Sequence, residues 1–240
     1  SSRMVGNFLE IMLRFFIIFC LFFNTSLSFA WEKKLAVGFL HTDGNSPSKS
    51  NSMNLTLKKN QEKYFHSMNI STFSQSKQKN NTAEKYKIVA KTDKKISNKK
   101  AFYILFVTED DRFSGFDYQS SLSFGYAKTI LDGRKNKLRI ELGPGYRVSS
   151  IPLQSKEKEI TFRFGEEYNL ALSENSDLKQ SLSISTGEDN TIFNFECGLR
   201  TTIANSLSLS LVYESKYTQN VPIGKKNNDS RTSVQFTYEF

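Results

Sequence analysis

Glu109, Asp110, Asp111 and Asp117 crowd into one short stretch of the chain. Carboxylates at that density are how proteins hold hard divalent cations, which take several oxygens at defined spacing. The D-x-D-x-D-G order of a calcium loop is missing, however. Arg112 follows the acidic run and Gly115 lies three residues further on, so the segment is expected to shape a loop, and no metal or cofactor is expected. His41 and His66 are the only histidines, and no G-x-S-x-G elbow accompanies them. A general base must lie within hydrogen-bond reach of the group it serves. Strand parity sets His41 at the outer end of a first strand and His66 near the inner end of a third, so no shared catalytic site, and no enzyme, is expected. Gly143, Pro144 and Gly145 lack the following Lys-Ser/Thr and the helix that a phosphate loop feeds. Within a strand such glycines mark a bend or a close approach.

A larger set of charges has a clearer pattern. Arg139, Glu141, Arg147, Arg163, Glu167, Glu196, Arg200, Glu214, Lys216 and Arg231 all fall on the polar side of segments whose alternate residues are apolar. Mixed charges on one face line a narrow path for ions or small solutes, or they pair across a small space and fill it. An ion taken from water without a partner is costly, and the two signs here are nearly balanced, which favours pairing.

The elements that carry these charges read as strands. After the first thirty residues no stretch sustains a helical period, and nearly every segment alternates with period two. Leu138, Ile140, Leu142, Tyr146 and Val148 oppose Arg139, Glu141, Gly143, Gly145 and Arg147; Ile160, Phe162, Phe164, Tyr168 and Leu170 oppose Thr161, Arg163, Gly165, Glu167 and Asn169. Phe193, Phe195, Cys197 and Leu199 form another such set, as do Leu207, Leu209, Leu211 and Tyr213. The final stretch sets Val234, Phe236, Tyr238 and Phe240 against polar neighbours. The spacing predicts about twelve strands of roughly ten residues or slightly more. Phe102 to Val107 is apolar on both faces and stays ambiguous. Short turns are expected near residues 60–61, 95–99, 132–133, 174–176 and 205, and longer polar loops at 42–49, 75–82, 109–114, 150–157 and 219–230. Residues 187–190 are short where the pattern wants a longer loop.

Residues 1–30 are expected to be a secretory leader with upstream sequence. Arg14, the apolar run from Phe15 to Phe23, and a Ser28-Phe29-Ala30 exit give the three parts of a signal, cut before Trp31. The run falls short of the ~20 apolar residues of a membrane helix. Residues 31–240 then form one domain in which Cys197 is the sole cysteine, so no internal disulfide holds it. The net charge of +9 is spread over separate lysine pairs such as Lys33-Lys34 and Lys94-Lys95 and forms no stripe, so nucleic acid is not an expected partner.

Period two fits a soluble sandwich as well as a membrane barrel. Ionised residues at mid-strand suit a wet lumen, and short turns alternating with longer loops are the habit of outer-membrane barrels. A leader, an even strand count and an aromatic closing strand complete the set. The expected fold is an all-β, antiparallel, up-and-down transmembrane barrel. Its last strand pairs with its first, because lipid leaves no other partner for backbone groups. The expected location is the outer membrane, with lipid and lipopolysaccharide as surroundings. Val234, Phe236, Tyr238 and Phe240 would be read by the insertion machinery as an assembly signal.

DDRFSGFDYQ (110–119), ELGPGYR (141–147), GEDNT (187–191), NSLSLSLVYESKY (205–217) and VPIGKK (221–226), with Thr42, Gly44 and Asn45 near the start, resemble the YdiY-like family of salt-induced outer-membrane proteins. The resemblance runs in order from Trp31 to Phe240. It implies a Gram-negative outer-membrane barrel associated with salt or osmotic stress, and it supplies no catalytic residues. Val89, Leu105 and Val107 depart from it by placing apolar groups on the face read as luminal. The function expected is a structural or minor solute and ion channel role. The alternative is a surface barrel with a binding or lipid-directed enzymatic role.

Overall fold

The computed structural model describes residues 31–42, 48–77, 80–112, 114–152 and 156–240. The expected leader lies outside them. Among the described residues twelve strands follow one another: β1 (Glu32–Thr42), β2 (Ser48–Asn60), β3 (Tyr64–Lys77), β4 (Asn80–Ser97), β5 (Lys100–Asp111), β6 (Tyr118–Asp132), β7 (Asn136–Ser150), β8 (Glu157–Ala171), β9 (Ser176–Gly187), β10 (Thr191–Ala204), β11 (Leu207–Thr218) and β12 (Asn228–Glu239). Each pairs antiparallel with its sequence neighbours, and β1 pairs with β12 from Lys34↔Glu239 to Gly38↔Gln235, so the sheet closes into a barrel.

The barrel wears its large apolar side chains outside. Phe102, Ile104, Phe106, Leu122, Phe124, Leu142, Tyr146 and Phe162 are all exposed, and Ile160 reaches 78%. A soluble monomer rarely shows apolar patches beyond a few hundred Å². A band of this kind belongs against hydrocarbon, and a closed sheet is the β-architecture that satisfies its backbone there. The ambiguous segment resolves as the interior of β5. Phe102, Ile104 and Phe106 face out, while Ala101, Tyr103 and Leu105 face in and pack with Ala127, Val89 and Val107. This small apolar cluster narrows the lumen on one wall.

The five short turns fall where alternation breaks, at 61–63, 98–99, 133–135, 172–175 and 205–206. The opposite end differs from expectation at 75–82. β3 runs on to Lys77 and β4 resumes at Asn80, so two residues connect them where a long loop was expected. Both faces are polar there because the hairpin rises above the apolar band, and polar composition reads as loop. The sixth strand begins at Tyr118, while Phe116 lies buried before it.

Gly125 and Gly143 mark the tightest approach between neighbouring strands. A methyl group on Gly125 would sit 2.0 Å from the Leu142 carbonyl oxygen, and one on Gly143 would sit 2.0 Å from that of Phe124. Backbone cannot yield there, so only a residue without a Cβ fits. Gly198 is the natural contrast, since its added methyl would meet Val212 at 3.6 Å and the Leu211 oxygen at 4.0 Å. Gly143→Ala is therefore expected to cost about 3 kcal/mol in urea unfolding from detergent, with Gly198→Ala close to neutral. Equal midpoints for the two variants would remove this account of the β6–β7 seam.

Candidate functional site: the luminal ion-pair network

Strand parity places the ten charges named from the sequence on the inner face, where the cross-strand registers bring them to one another. Glu141 on β7 is the hub, with only 1% of its surface exposed. Its Oε2 accepts from Arg163 Nη1 at 2.9 Å, and its Oε1 accepts from Arg139 Nε at 2.9 Å and from Lys91 Nζ. Lys91 also reaches Glu167 at 3.2 Å, and Arg139 Nη2 lies 2.8 Å from Asp93. The Arg163 guanidinium lies over the Tyr103 ring, 5.7 Å from its centroid. Three cations thus converge on one carboxylate, each supplied by a different strand, β4, β7 and β8. They lie on the same side of the lumen as the apolar cluster, and Lys91 and Arg163 line the luminal cavity together with Leu105 and Val107.

Two further groups stand farther from the short turns. Glu109 accepts from Lys216 at 2.7 Å and from Lys85 at 3.0 Å, and Lys216 also donates to Gln119 at 2.9 Å. Arg231 pairs with Glu214, and its guanidinium stacks 4.3 Å above the Phe73 ring. Glu196 is the cross-strand neighbour of Glu214. Between these groups lies a cavity of about 570 Å³ whose lining includes Lys85, Lys87, Lys91, Glu196 and Glu214. In the closed order of twelve strands, β4 with its lysines stands six strands from β10 with Glu196. The β4 wall of the cavity is basic, with Lys85, Lys87 and Lys91, while the opposite wall mixes Glu196, Glu214 and Asp229 with Lys216 and Arg231.

Arg147 serves a different purpose. It meets Glu159 at 2.6 Å and donates to the carbonyls of Ser185 and Asn190, while Glu159 accepts from the backbone N–H of Asp189 at 2.9 Å. Asn190 in turn donates to the Asn220 carbonyl at 2.6 Å. This chain of bonds ties the 188–190 turn and the start of the 219–227 loop to the wall. At the other end Arg200 bridges Asp177 at 2.8 Å and Glu239 at 2.9 Å, and Lys34 reaches Glu239 at 2.6 Å across the β1–β12 seam.

Several luminal partners escaped the sequence reading, among them Lys34, Lys85, Lys87, Lys91, Asp93, Tyr103, Glu159 and Asp177. The signal was present: on β4 the lysines share parity with Val89, which was already read as luminal. The acidic cluster is divided by the same alternation. Glu109 and Asp111 turn inward toward Lys85, and Asp117 accepts from Ser150 Oγ at 3.3 Å. No group of acids, histidines and cysteines among the described residues has the geometry of a metal site. His66 stacks on Tyr64 and shares a 3.0 Å hydrogen bond with Thr92, all three on the outer face. The β1 backbone puts His41 at the opposite end, paired with Lys49. Val234, Phe236, Tyr238 and Phe240 are exposed along the outer side.

Removing the hub carboxylate would leave three cations facing one another. Glu141→Gln is expected to destabilise the barrel by about 3 kcal/mol, the scale for breaking a buried pair. Glu239→Gln, whose partners are partly exposed, should cost under about 1 kcal/mol. Urea titrations of the two variants check the ranking.

The family model described as "Protein of unknown function, DUF481" matches residues 35–240. The Escherichia coli (strain K12) protein YdiY, described as uncharacterized, is 26% identical over 129 residues, covering 53% of this chain and 51% of YdiY. The chain thus spans about half the length of the curated relative it matches. Among solved structures the NanC porin superposes with a TM-score of 0.53 at 9% identity, over 87% of this chain and 98% of the porin's. The translocator domain of the autotransporter NalP from Neisseria meningitidis gives 0.47 at 12% identity, over 90% of each chain. At these identities the likeness to NanC concerns the fold alone, a closed barrel of the outer-membrane type. The family match takes in eleven strands whole and all but the opening residues of β1, so the chain belongs to the DUF481 family.

Proposed function

We propose that the protein is an outer-membrane barrel of a Gram-negative envelope with a structural or narrow-channel role, in which ion pairing sets the width of the lumen. The observation that carries this is the Glu141 hub, where Lys91, Arg139 and Arg163 converge beside a 570 Å³ cavity. A lumen closed by charges differs from one closed by apolar packing because salt acts on it. Screening shortens from about 10 Å at 0.1 M to about 3 Å at 1 M. Water-accessible pairs such as Arg231–Glu214 and Arg200–Glu239 weaken first, while the buried hub resists. The salt or osmotic-stress association comes from the family resemblance, and this physical response would suit it. The reading assigns no catalysis.

Lys77, Lys156, Lys158, Lys225 and Lys226 sit toward the end of the barrel away from the five short turns, and Lys79 of the same set lies outside the described residues. In this reading that end faces outward, and the lysines meet lipopolysaccharide phosphates there. The outward ladder of β12, Val234, Phe236, Tyr238 and Phe240, is the surface offered to the insertion machinery.

Planar-bilayer conductance tests the channel role. The native barrel is expected to give small steps that grow more steeply than bulk conductivity between 0.1 and 1 M KCl. A Lys91→Ala/Glu141→Ala/Arg163→Ala variant should give steps several-fold larger at 0.1 M. Silent bilayers from both proteins would leave only the structural role.

A further inference from the structure

The outer surface of β8 interrupts its own apolar ladder. Ile160, Phe162, Phe164, Glu166, Tyr168 and Leu170 share that face, with Phe164 and Tyr168 on either side of Glu166 along the strand. Its cross-strand neighbours are Ile140 on β7 and Leu182 on β9, both apolar. The luminal charges cannot reach it, because they point to the other side of the sheet. Its hydrogen-bond partner is Gln180 on β9, whose Nε2 donates to Glu166 Oε2 at 3.2 Å. Ionisable groups inside a membrane are costly and characteristically find a partner.

We propose that Glu166 and Gln180 form the centre of a lateral contact between two copies of this chain in the membrane. The pair is self-complementary. A carboxylate offers two acceptor oxygens and a primary amide two N–H donors, and the Glu166–Gln180 bond uses one of each. A two-fold axis between the two side chains sets each Gln180 amide against the partner's Glu166, so the remaining donor and acceptor are used reciprocally. Such isologous contacts are the commonest form of homo-oligomer. The surrounding Phe164, Leu182, Ile184 and Phe195 supply an apolar rim. That rim drives nothing by itself, since lipid tails are equally apolar; in a bilayer the polar pair provides the attraction. A foreign protein would be drawn to a lone glutamate by a cation, whereas an acceptor beside a donor suits a copy of itself. The inference does not depend on whether the lumen conducts.

Energy transfer between barrels in phosphatidylethanolamine–phosphatidylglycerol vesicles tests it. Dyes are placed on Ile223→Cys in a Cys197→Ser background, so that no label touches the contact. Transfer above random proximity is expected, with half-association at a defined protein-to-lipid ratio. Glu166→Leu/Gln180→Leu should need about tenfold more protein per lipid, while Glu166→Gln, which keeps an acceptor and a donor, should stay within about threefold. Heat-modifiable gel mobility reports folding; should the double variant lose its folded band, Gln180→Leu alone is read on the same scale. Only random-proximity transfer in the native barrel, or association unchanged by the leucine variants, would overturn the contact.

Discussion

Backbone hydrogen bonds in a membrane have no water to fall back on, and the geometry of this protein follows from that constraint. Every strand finds partners on both sides, and the last debt is settled between β1 and β12. There the Phe240 N–H donates to the Lys33 carbonyl at 3.0 Å, and Lys34 and Glu239 meet on the luminal side at 2.6 Å. Gly38 lets the seam close, because a methyl group there would lie 2.9 Å from the Val234 carbonyl oxygen. An open sheet with the same side chains would leave two rows of unpaired amides in hydrocarbon, each costing several kcal/mol.

Closure forces a second consequence. A closed sheet has an inside, and in a barrel this narrow the long side chains of opposite walls meet. Residues far apart in the chain, such as Lys91 and Glu141 or Glu109 and Lys216, become partners because their strands curve around a common axis. Paired charges then take part of the space that an apolar core occupies elsewhere, and a cavity of about 570 Å³ lies among them. An ion-filled middle keeps a sensitivity to salt that a hydrocarbon core lacks, and the proposed function rests on that difference. The apolar cluster around Tyr103 and Leu105 supplies the part of the filling that salt leaves alone.

The outer face obeys the opposite economy. Apolar residues there match the lipid, and a polar group stands out against them. Glu166 and Gln180 are conspicuous for this reason, whereas Glu167 one position later is unremarkable, because it points into water and reaches Lys91. The same residue type carries different meaning on the two sides of one strand.

Period-two alternation made the strand number, the facing of each ladder and the short turns legible from the residues alone, because a pleated strand turns successive side chains to opposite sides whatever its neighbours are. Parity also assigned Arg139, Glu141, Arg163 and Glu214 to the inner face. Polar residues on both sides of a strand hid the continuation of β3 and β4, since above the apolar band no lipid selects between the faces. Which charges meet was not legible, because pairing depends on cross-strand register and on the curvature that brings β4 to β7 and β8. The sequence determined which way each side chain points; the closed sheet alone decided whom it touches, for distance across a lumen is a property of the whole ring and of no single strand.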